Sequence, residues 1–237
     1  MSSPSLKQTP ELDYISRLYY STDHHTWVSQ INKENFKQES TMPDGLDTVM
    51  FRARTTLAVD IRHIRQTCTN VNIRKQWETI LYNMQGVDMK KDLSSMLTYY
   101  CYRSPRVAFI GLDDRDFILS QEVWWDFPEP GMYTSYMHSV EDERFPPVKG
   151  IVRATCHIMI LVCRPSVAED GSPATEMMLC TNIDINGLVP KWIVNLGART
   201  APAQWFADCQ RACDRFKNGH FDVKPEDITD WRNGEIV

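Results

Sequence analysis

The chain has 237 residues, a formal net charge of -5, 42% hydrophobic and 24% charged residues, which suits one large globular domain or one domain with short extensions. The acidic balance argues against nucleic acid as a partner, because a phosphate backbone selects basic surfaces. No run of about 18 apolar residues occurs, so no transmembrane helix is expected.

Pro10 to Tyr20 reads as a first helix, with Leu12, Ile15, Leu18 and Tyr19 on one face. His24 and His25 follow in a polar link and are read as solvated. Trp27 to Glu39 begins an extended run. Thr41-Met42-Pro43-Asp44-Gly45 is turn chemistry, and Asp47 to Val59 is a strand. These form a first antiparallel meander.

Asp60 to Met84 changes period. Ile61, Ile64, Val71, Ile73, Trp77, Ile80, Leu81 and Met84 recur at helical spacing. The break at Thr67 to Asn72 predicts two short helices, the second over Asn72 to Tyr82, with Gly86 as its stop. Strands then dominate. Met96 to Arg103 places Thr98, Tyr100 and Tyr102 on one face, and Arg115 to Trp125 places Phe117, Leu119, Gln121 and Val123 together. Pro105 to Leu112 links these two strands. Phe127 to Gly131 is a proline-bearing hairpin loop. Met132 to Val140 and Ile151 to Val162 are further strands, separated by the charged, proline-rich Glu141 to Gly150. After a polar turn over Arg164 to Pro173 comes a strand over Thr175 to Ile185. Pro190 to Gly197 leads into a final helix over Ala201 to Lys217, with Trp205, Phe206, Cys209, Ala212, Cys213 and Phe216 along one side. Gly219 suits its end. The element order is that of an α+β protein, with helices packed on an antiparallel sheet.

Met1-Ser2-Ser3-Pro4 lacks the pattern of a signal peptide, Ser2 excludes N-myristoylation, and the C-terminus has no prenylation cysteine. The seven cysteines lack paired short spacings, which favours reduced thiols in the cytoplasm over a disulfide framework or a zinc site. Cys209 and Cys213 lie four apart on a helix without a histidine pair, so they read as small buried residues.

A set of short motifs runs through the chain in order: Arg74-Lys75-Gln76-Trp77-Glu78, Arg115-Asp116-Phe117, Pro146-Pro147 before Val152-Arg153-Ala154, and Asp184 with Gly187, Pro190 and Trp192. This set resembles the START family, the StAR-related lipid-transfer domain, over about residues 20 to 217. The resemblance implies a helix-grip fold, in which a curved antiparallel sheet wraps a long C-terminal helix around an internal lipid cavity. It divides the chain into an N-terminal helix or extension (1–20), a START-like lipid-binding domain (21–218) and an acidic C-terminal tail (219–237). It also implies a gate formed by the loop near Asp184 to Trp192 and the last helix.

Local similarity is to a phosphatidylcholine-carrying member, whose arginine in this motif meets the lipid phosphate. Spacing of four puts Arg74 and Glu78 side by side on one helix face. By spacing alone the pair is either a solvated surface pair or an inward one; the resemblance turns it inward, with Glu78 compensating the buried guanidinium. Positions of that member's choline cage fall at Tyr100, Phe117, His157 and near Asn182. Two aromatic rings and a histidine make a weaker cage than several electron-rich faces, and Tyr100 and Phe117 equally suit plain sheet packing. The ceramide-carrying member shares the Arg74 and Glu78 pattern, but its polar strand positions fall at Tyr100, Met137 and Leu179. The acid and arginine of sterol carriers fall near Tyr102 and at Gln121, where no ion pair is possible, although Gln121 suits a hydroxyl.

The expected ligand is therefore a phospholipid of the phosphatidylcholine kind, or a sphingolipid. The expected lipid-binding residues are Arg74, Glu78, Tyr100, Phe117, Gln121, His157 and Asn182. Leu188, Val189 and Trp192 are expected either to touch membranes at the gate or to pack on the last helix. The resemblance implies a monomeric cytoplasmic carrier that touches membranes transiently, with no catalytic residue, metal or cofactor. Two alternatives stand beside it. One is a lipid sensor whose loaded form captures a partner. The other is a hydrolase or cyclase on a related scaffold, with Cys156, His157 and Asp116 as candidates by type; strand neighbours Cys156 and His157 would point to opposite faces.

Overall fold

The computed structural model describes residues 9–90, 94–104, 112–189, 191–222, 229–230 and 235–236, and side chains outside 190–199 and 223–237. Helix α1 is Pro10–Tyr20; strands β1, β2 and β3 are Val28–Lys33, Phe36–Thr41 and Met50–Leu57. Helices α2 (Ile61–Thr69) and α3 (Val71–Trp77) follow, then β4 (Leu81–Val87), β5 (Ser95–Tyr102), β6 (Asp114–Trp125) and β7 (Tyr133–Ser139). The chain continues through β8 (Ile151–Arg153), β9 (Thr155–Val167), β10 (Pro173–Asp184), α4 (Lys191–Lys217), and the two-residue strands β11 (Thr229–Asp230) and β12 (Glu235–Ile236).

One open sheet runs in the order β1-β2-β3-β10-β9-β7-β6-β5-β4, with short β8 pairing parallel to β6. All other pairings within this sheet are antiparallel. Period-two alternation gives the sheet two apolar faces. On one face Ala53, Leu57, Val123, Tyr133, Leu161, Cys163 and Met177 pack against Ile64, Ile73, Trp77, Phe206, Cys209 and Cys213 of α2, α3 and α4. This is the gripped face. On the other, Met50, Ile160, Val162, Met178 and Cys180 pack under Ile15 and Leu18 of α1.

Local chemistry fixes the helices. Thr9 caps α1, its hydroxyl accepting from the Leu12 N–H at 3.3 Å, with Pro10 opening the first turn. Arg52 donates to the Leu18 carbonyl at 2.9 Å near the carbonyl end of α1, where a cation suits the helix dipole. Asn70 ends α2 and caps α3, its Oδ1 accepting from the N–H groups of Asn72 and Ile73 at 3.0 and 3.2 Å.

Four expectations are corrected. The second short helix stops at Trp77, and Leu81 to Val87 is an edge strand, so Gly86 lies in a strand. Leu81 and Met84 both face inward because a register shift between Leu81 and Asn83 inserts one residue; three-residue spacing there imitates a helix. The stretch from Ile151 is broken at Ala154, whose N–H bonds the Asp116 carbonyl at 2.9 Å, into β8 and β9. Strand β9 continues through Arg164 to Val167, and β10 already begins at Pro173, so the turn is shorter than expected. Finally, α4 begins at Lys191 rather than Ala201 and carries Pro202 inside it. The link over 105–111 lies outside the described residues.

Candidate functional site

Arg74 and Glu78 point into the protein from α3 and its C-terminal cap. They are 6% and 8% exposed, so the pair is interior and not a solvated surface pair. Arg74 Nε donates to Glu78 Oε2 at 2.6 Å. Its Nη1 donates to the Cys68 carbonyl at 3.2 Å and to the Tyr100 hydroxyl at 3.4 Å, while the guanidinium lies 5.2 Å from the Tyr100 ring centroid. Its Nη2 takes none of these partners. The α2–α3 turn makes this possible. It exposes the Cys68 carbonyl to Arg74, and Trp77 pins the turn by donating from Nε1 to the Thr67 carbonyl at 2.8 Å.

Burial works against the Arg74 charge, but Glu78 and the Tyr100 and Tyr102 oxygens outweigh it and hold the guanidinium charged. Burial also raises the Tyr100 phenol, and pushes that of Tyr102 well above its ordinary value, so both remain neutral donors near pH 7. The site thus offers a fixed cation beside neutral hydroxyls, suited to a phosphate or amide oxygen.

Around it, Leu81, Met84, Tyr100, Phe117, Leu119, Met137, Ala154 and Cys156 form one apolar cluster, with Tyr102, Met159 and Ile183 packed against it. The Tyr100 and Tyr102 rings stack at 6.0 Å, and Phe117 meets Tyr102 edge-on at 5.8 Å. Gln121 lies farther along the Phe117 side of β6 and donates to Ser135 Oγ at 3.0 Å.

The structure does not bring His157 or Asn182 to this group. Between β9 and β10, Asn182 pairs with Ile158 and Ile183 with Cys156, which leaves His157 as the unpaired residue of a bulge. It is exposed, whereas Cys156 is 1% exposed. Asn182 follows Met178 and Cys180 on the α1 side of β10. It is held there by Thr48, whose hydroxyl donates to Asn182 Oδ1 at 3.0 Å and whose carbonyl accepts from Nδ2 at 2.8 Å. Leu188 is fully exposed and Val189 half-buried; the Trp192 side chain lies outside the described residues. Tyr102 completes the aromatic group. Its alternation with Tyr100 was the signal in the sequence, but the Cys68 carbonyl left no signal there.

The other motifs meet at one end of the sheet. Asp116 is 1% exposed and accepts from Arg153 Nε and Nη2 at 2.8 and 2.9 Å and from the Tyr99 hydroxyl at 3.1 Å. Arg115 donates to the Ile185 and Asn186 carbonyls in the loop before α4. Burial pushes the Cys156 thiol up to about 12, so it is protonated near pH 7. Among the described residues no group of His, Cys, Asp or Glu is placed to hold a metal ion, and no helix is long and apolar enough to cross a membrane. A surface cleft of about 220 Å³ at the other end of the sheet, lined in part by Tyr19, Phe36, Arg54 and Glu176, includes none of the expected site residues.

An open sheet that grips a long C-terminal helix, with a buried ion pair on the gripped face, defines a helix-grip protein. The chain belongs to the START domain family, whose profile matches residues 11–217. It is 20% identical over 145 residues to the phosphatidylcholine transfer protein of Bos taurus, covering 61% of this chain and 63% of that protein. It is 21% identical over 147 residues to START domain-containing protein 10 of Mus musculus, covering 62% of this chain and 46% of that protein. These matches therefore span less than two thirds of either relative. Among solved structures, human StAR-related lipid transfer protein 5 superposes with a TM-score of 0.74 at 17% identity, covering 87% of this chain and 96% of that one. Human STARD10 gives a TM-score of 0.72 at 17% identity, covering 92% and 85%. Likeness at this identity shows the fold.

Proposed function

We propose that the chain is a lipid carrier, holding one phospholipid or sphingolipid between the gripped face of the sheet and α4, and moving it between membranes. The observation that carries this reading is the inward Arg74–Glu78 pair beside Tyr100 and Phe117. A buried guanidinium costs stability unless it is compensated, and among the described residues only its Nε and Nη1 are taken up, which leaves Nη2 for a ligand oxygen. The family and the names of the relatives, a phosphatidylcholine transfer protein and a lipid transfer protein, support the same class of ligand.

In this reading the head-group phosphate or amide meets Arg74, with Tyr100 and Phe117 beside it and Gln121 deeper along β6. The acyl chains lie along the apolar inner face in a tunnel. A diacyl lipid has on the order of 30 methylenes, and exposing each costs about 0.8 kcal/mol, so bare transfer through water faces a cost above roughly 20 kcal/mol. An apolar lining removes most of it, and no bond needs to break. Leu188 and Val189, with Trp192 following, enter the membrane surface during exchange. The carrier works as a cytoplasmic monomer.

The test is extraction of a fluorescent phosphatidylcholine from vesicles by the purified chain. Arg74→Ala is expected to weaken extraction with the fold retained. A wild-type chain that extracts neither this lipid nor a fluorescent ceramide would overturn the reading.

A further inference from the structure

Helices α2 and α4 pack together, and both bring sulfur to their contact. Cys68 Sγ on α2 lies 3.7 Å from Cys209 Sγ on α4. One turn later, Cys213 Sγ lies 3.3 Å from Thr67 Oγ1. Cys68, Cys209 and Cys213 are 4%, 0% and 0% exposed. The close pair joins segments 141 residues apart. One of them is the helix whose last turn supplies the Arg74 partner carbonyl; the other is the long helix gripped by the sheet. We propose that Cys68 and Cys209 are a peroxide-sensitive modification site, forming a reversible disulfide that latches α4 onto α2.

Two thiols already in van der Waals contact need side-chain rotation and a small helix shift to reach a bond of about 2.05 Å. The two differ in acidity. The hydrogen bond with Cys209 pulls the Cys68 thiol down, against burial, and the Arg74 cation adds to that pull. The Cys209 thiol is held well above its ordinary value by its bonds with Cys213 and Cys68. Cys68 is therefore the sulfur that reacts first with hydrogen peroxide. Its thiol takes one peroxide oxygen to become a sulfenic acid, and one water leaves. The Cys209 sulfur then attacks the Cys68 sulfur. The S–S bond forms, the S–O bond breaks, and the thiol proton leaves with the hydroxyl as a second water. Two thiols lose two electrons in all, and the peroxide is reduced to two waters. A dithiol reverses the bond by exchange.

Both sulfurs are covered, so the oxidant reaches them when α4 lifts from α2. The bond itself is independent of the carrier reading. Its effect on lipid exchange rests on that reading, because a latched α4 keeps the gripped face closed.

The test treats the full chain with hydrogen peroxide, quenches free thiols with N-ethylmaleimide in denaturant, and maps unreduced peptides by mass spectrometry. The expected product joins the Cys68 and Cys209 peptides and disappears with dithiothreitol. It forms in Cys213→Ser and not in Cys209→Ser. Loss of most vesicle-to-vesicle transfer of phosphatidylcholine should accompany the bond, recover on reduction, and be absent in peroxide-treated Cys209→Ser. Overoxidation of Cys68 with Cys209 left alkylated, a Cys209–Cys213 product, or no product at all would each overturn the site. A chain that carries the bond yet transfers at the reduced rate would overturn the latch. Reduced chain that moves no lipid, with the bond still forming, would sink the carrier reading and leave the modification site standing.

Discussion

Arg115 at the start of β6 holds two successive carbonyls of the loop before α4, donating from Nε to Ile185 at 2.9 Å and from Nη2 to Asn186 at 3.0 Å. The loop is shaped to meet it. Asn186 and Gly187 both take left-handed conformations, at φ 48 and 76. A Cβ on Gly187 would sit 3.4 Å from Arg115 Nη2 and would add left-handed strain. Arg115→Ala is expected to cost about 2–3 kcal/mol, as lost hydrogen bonds from a charged donor do, and to speed amide exchange over Ile185 to Leu188. Gly187→Ala should cost about 1–2 kcal/mol. Hydrogen exchange and urea unfolding check both; wild-type exchange in the Arg115 variant would show that the guanidinium does not hold the loop.

That clamp also shows what the sequence could and could not disclose. The motifs Arg115-Asp116-Phe117, Val152-Arg153-Ala154 and Asp184 to Gly187 were visible as an ordered set, and the structure gathers them at one end of the sheet. Period-two alternation grouped Tyr100 with Tyr102 and Phe117 with Gln121, groups that lie on the gripped face, and four-residue spacing paired Arg74 with Glu78. What stayed hidden depends on register. Bulges at Leu81/Asn83 and opposite Asn182/Ile183 shift a strand by one residue, and no local composition announces them. The first disguised β4 as helix; the second took His157 out of alternation. The helix expected from Ala201 starts ten residues earlier, at Lys191, and runs through Pro202.

The Arg74–Glu78 pair separates stability from binding. Both groups are interior, so removing one partner strands the other. Arg74→Met and Glu78→Leu are each expected to cost about 3–5 kcal/mol. The double variant should recover most of that loss, because no buried charge remains, and still fail to extract phosphatidylcholine. Urea unfolding of all four chains closes the cycle. Additive losses would mean that the two side chains do not act on each other, and full extraction by the double variant would remove Arg74 from the site.

Leu188 has the opposite profile. It is fully exposed and supports nothing beneath it, so Leu188→Asp should change stability by less than about 0.5 kcal/mol. Burying a leucine is worth about 1.5–3 kcal/mol, so loss of membrane contact should weaken vesicle binding by roughly tenfold or more. Co-sedimentation with phosphatidylcholine vesicles, beside a thermal melt, checks the pair of outcomes. Unchanged sedimentation would place the contact elsewhere.

Alkaline pH tests how dry the two apolar faces are. Burial pushes Cys156 on the gripped face and Cys180 on the α1 face up to about 12, from an ordinary 9.0. A thiol with a raised folded value keeps its proton where the unfolded chain has lost it. The stability it contributes is thus fully present below pH 9.0 and is lost as pH rises from there towards about 12. Each such thiol steepens the fall by up to about 1.4 kcal/mol per pH unit. Urea midpoints should therefore be flat through neutral pH and drop from pH 9 to 10.5. Cys156→Ala and Cys180→Ala should each lower the neutral plateau slightly and make the alkaline fall shallower, since one titrating group is gone. A wild-type slope in Cys156→Ala would mean that water reaches this thiol. A wet Cys156 would mean that water enters the face assigned to lipid tails, which a hydrocarbon lining should exclude.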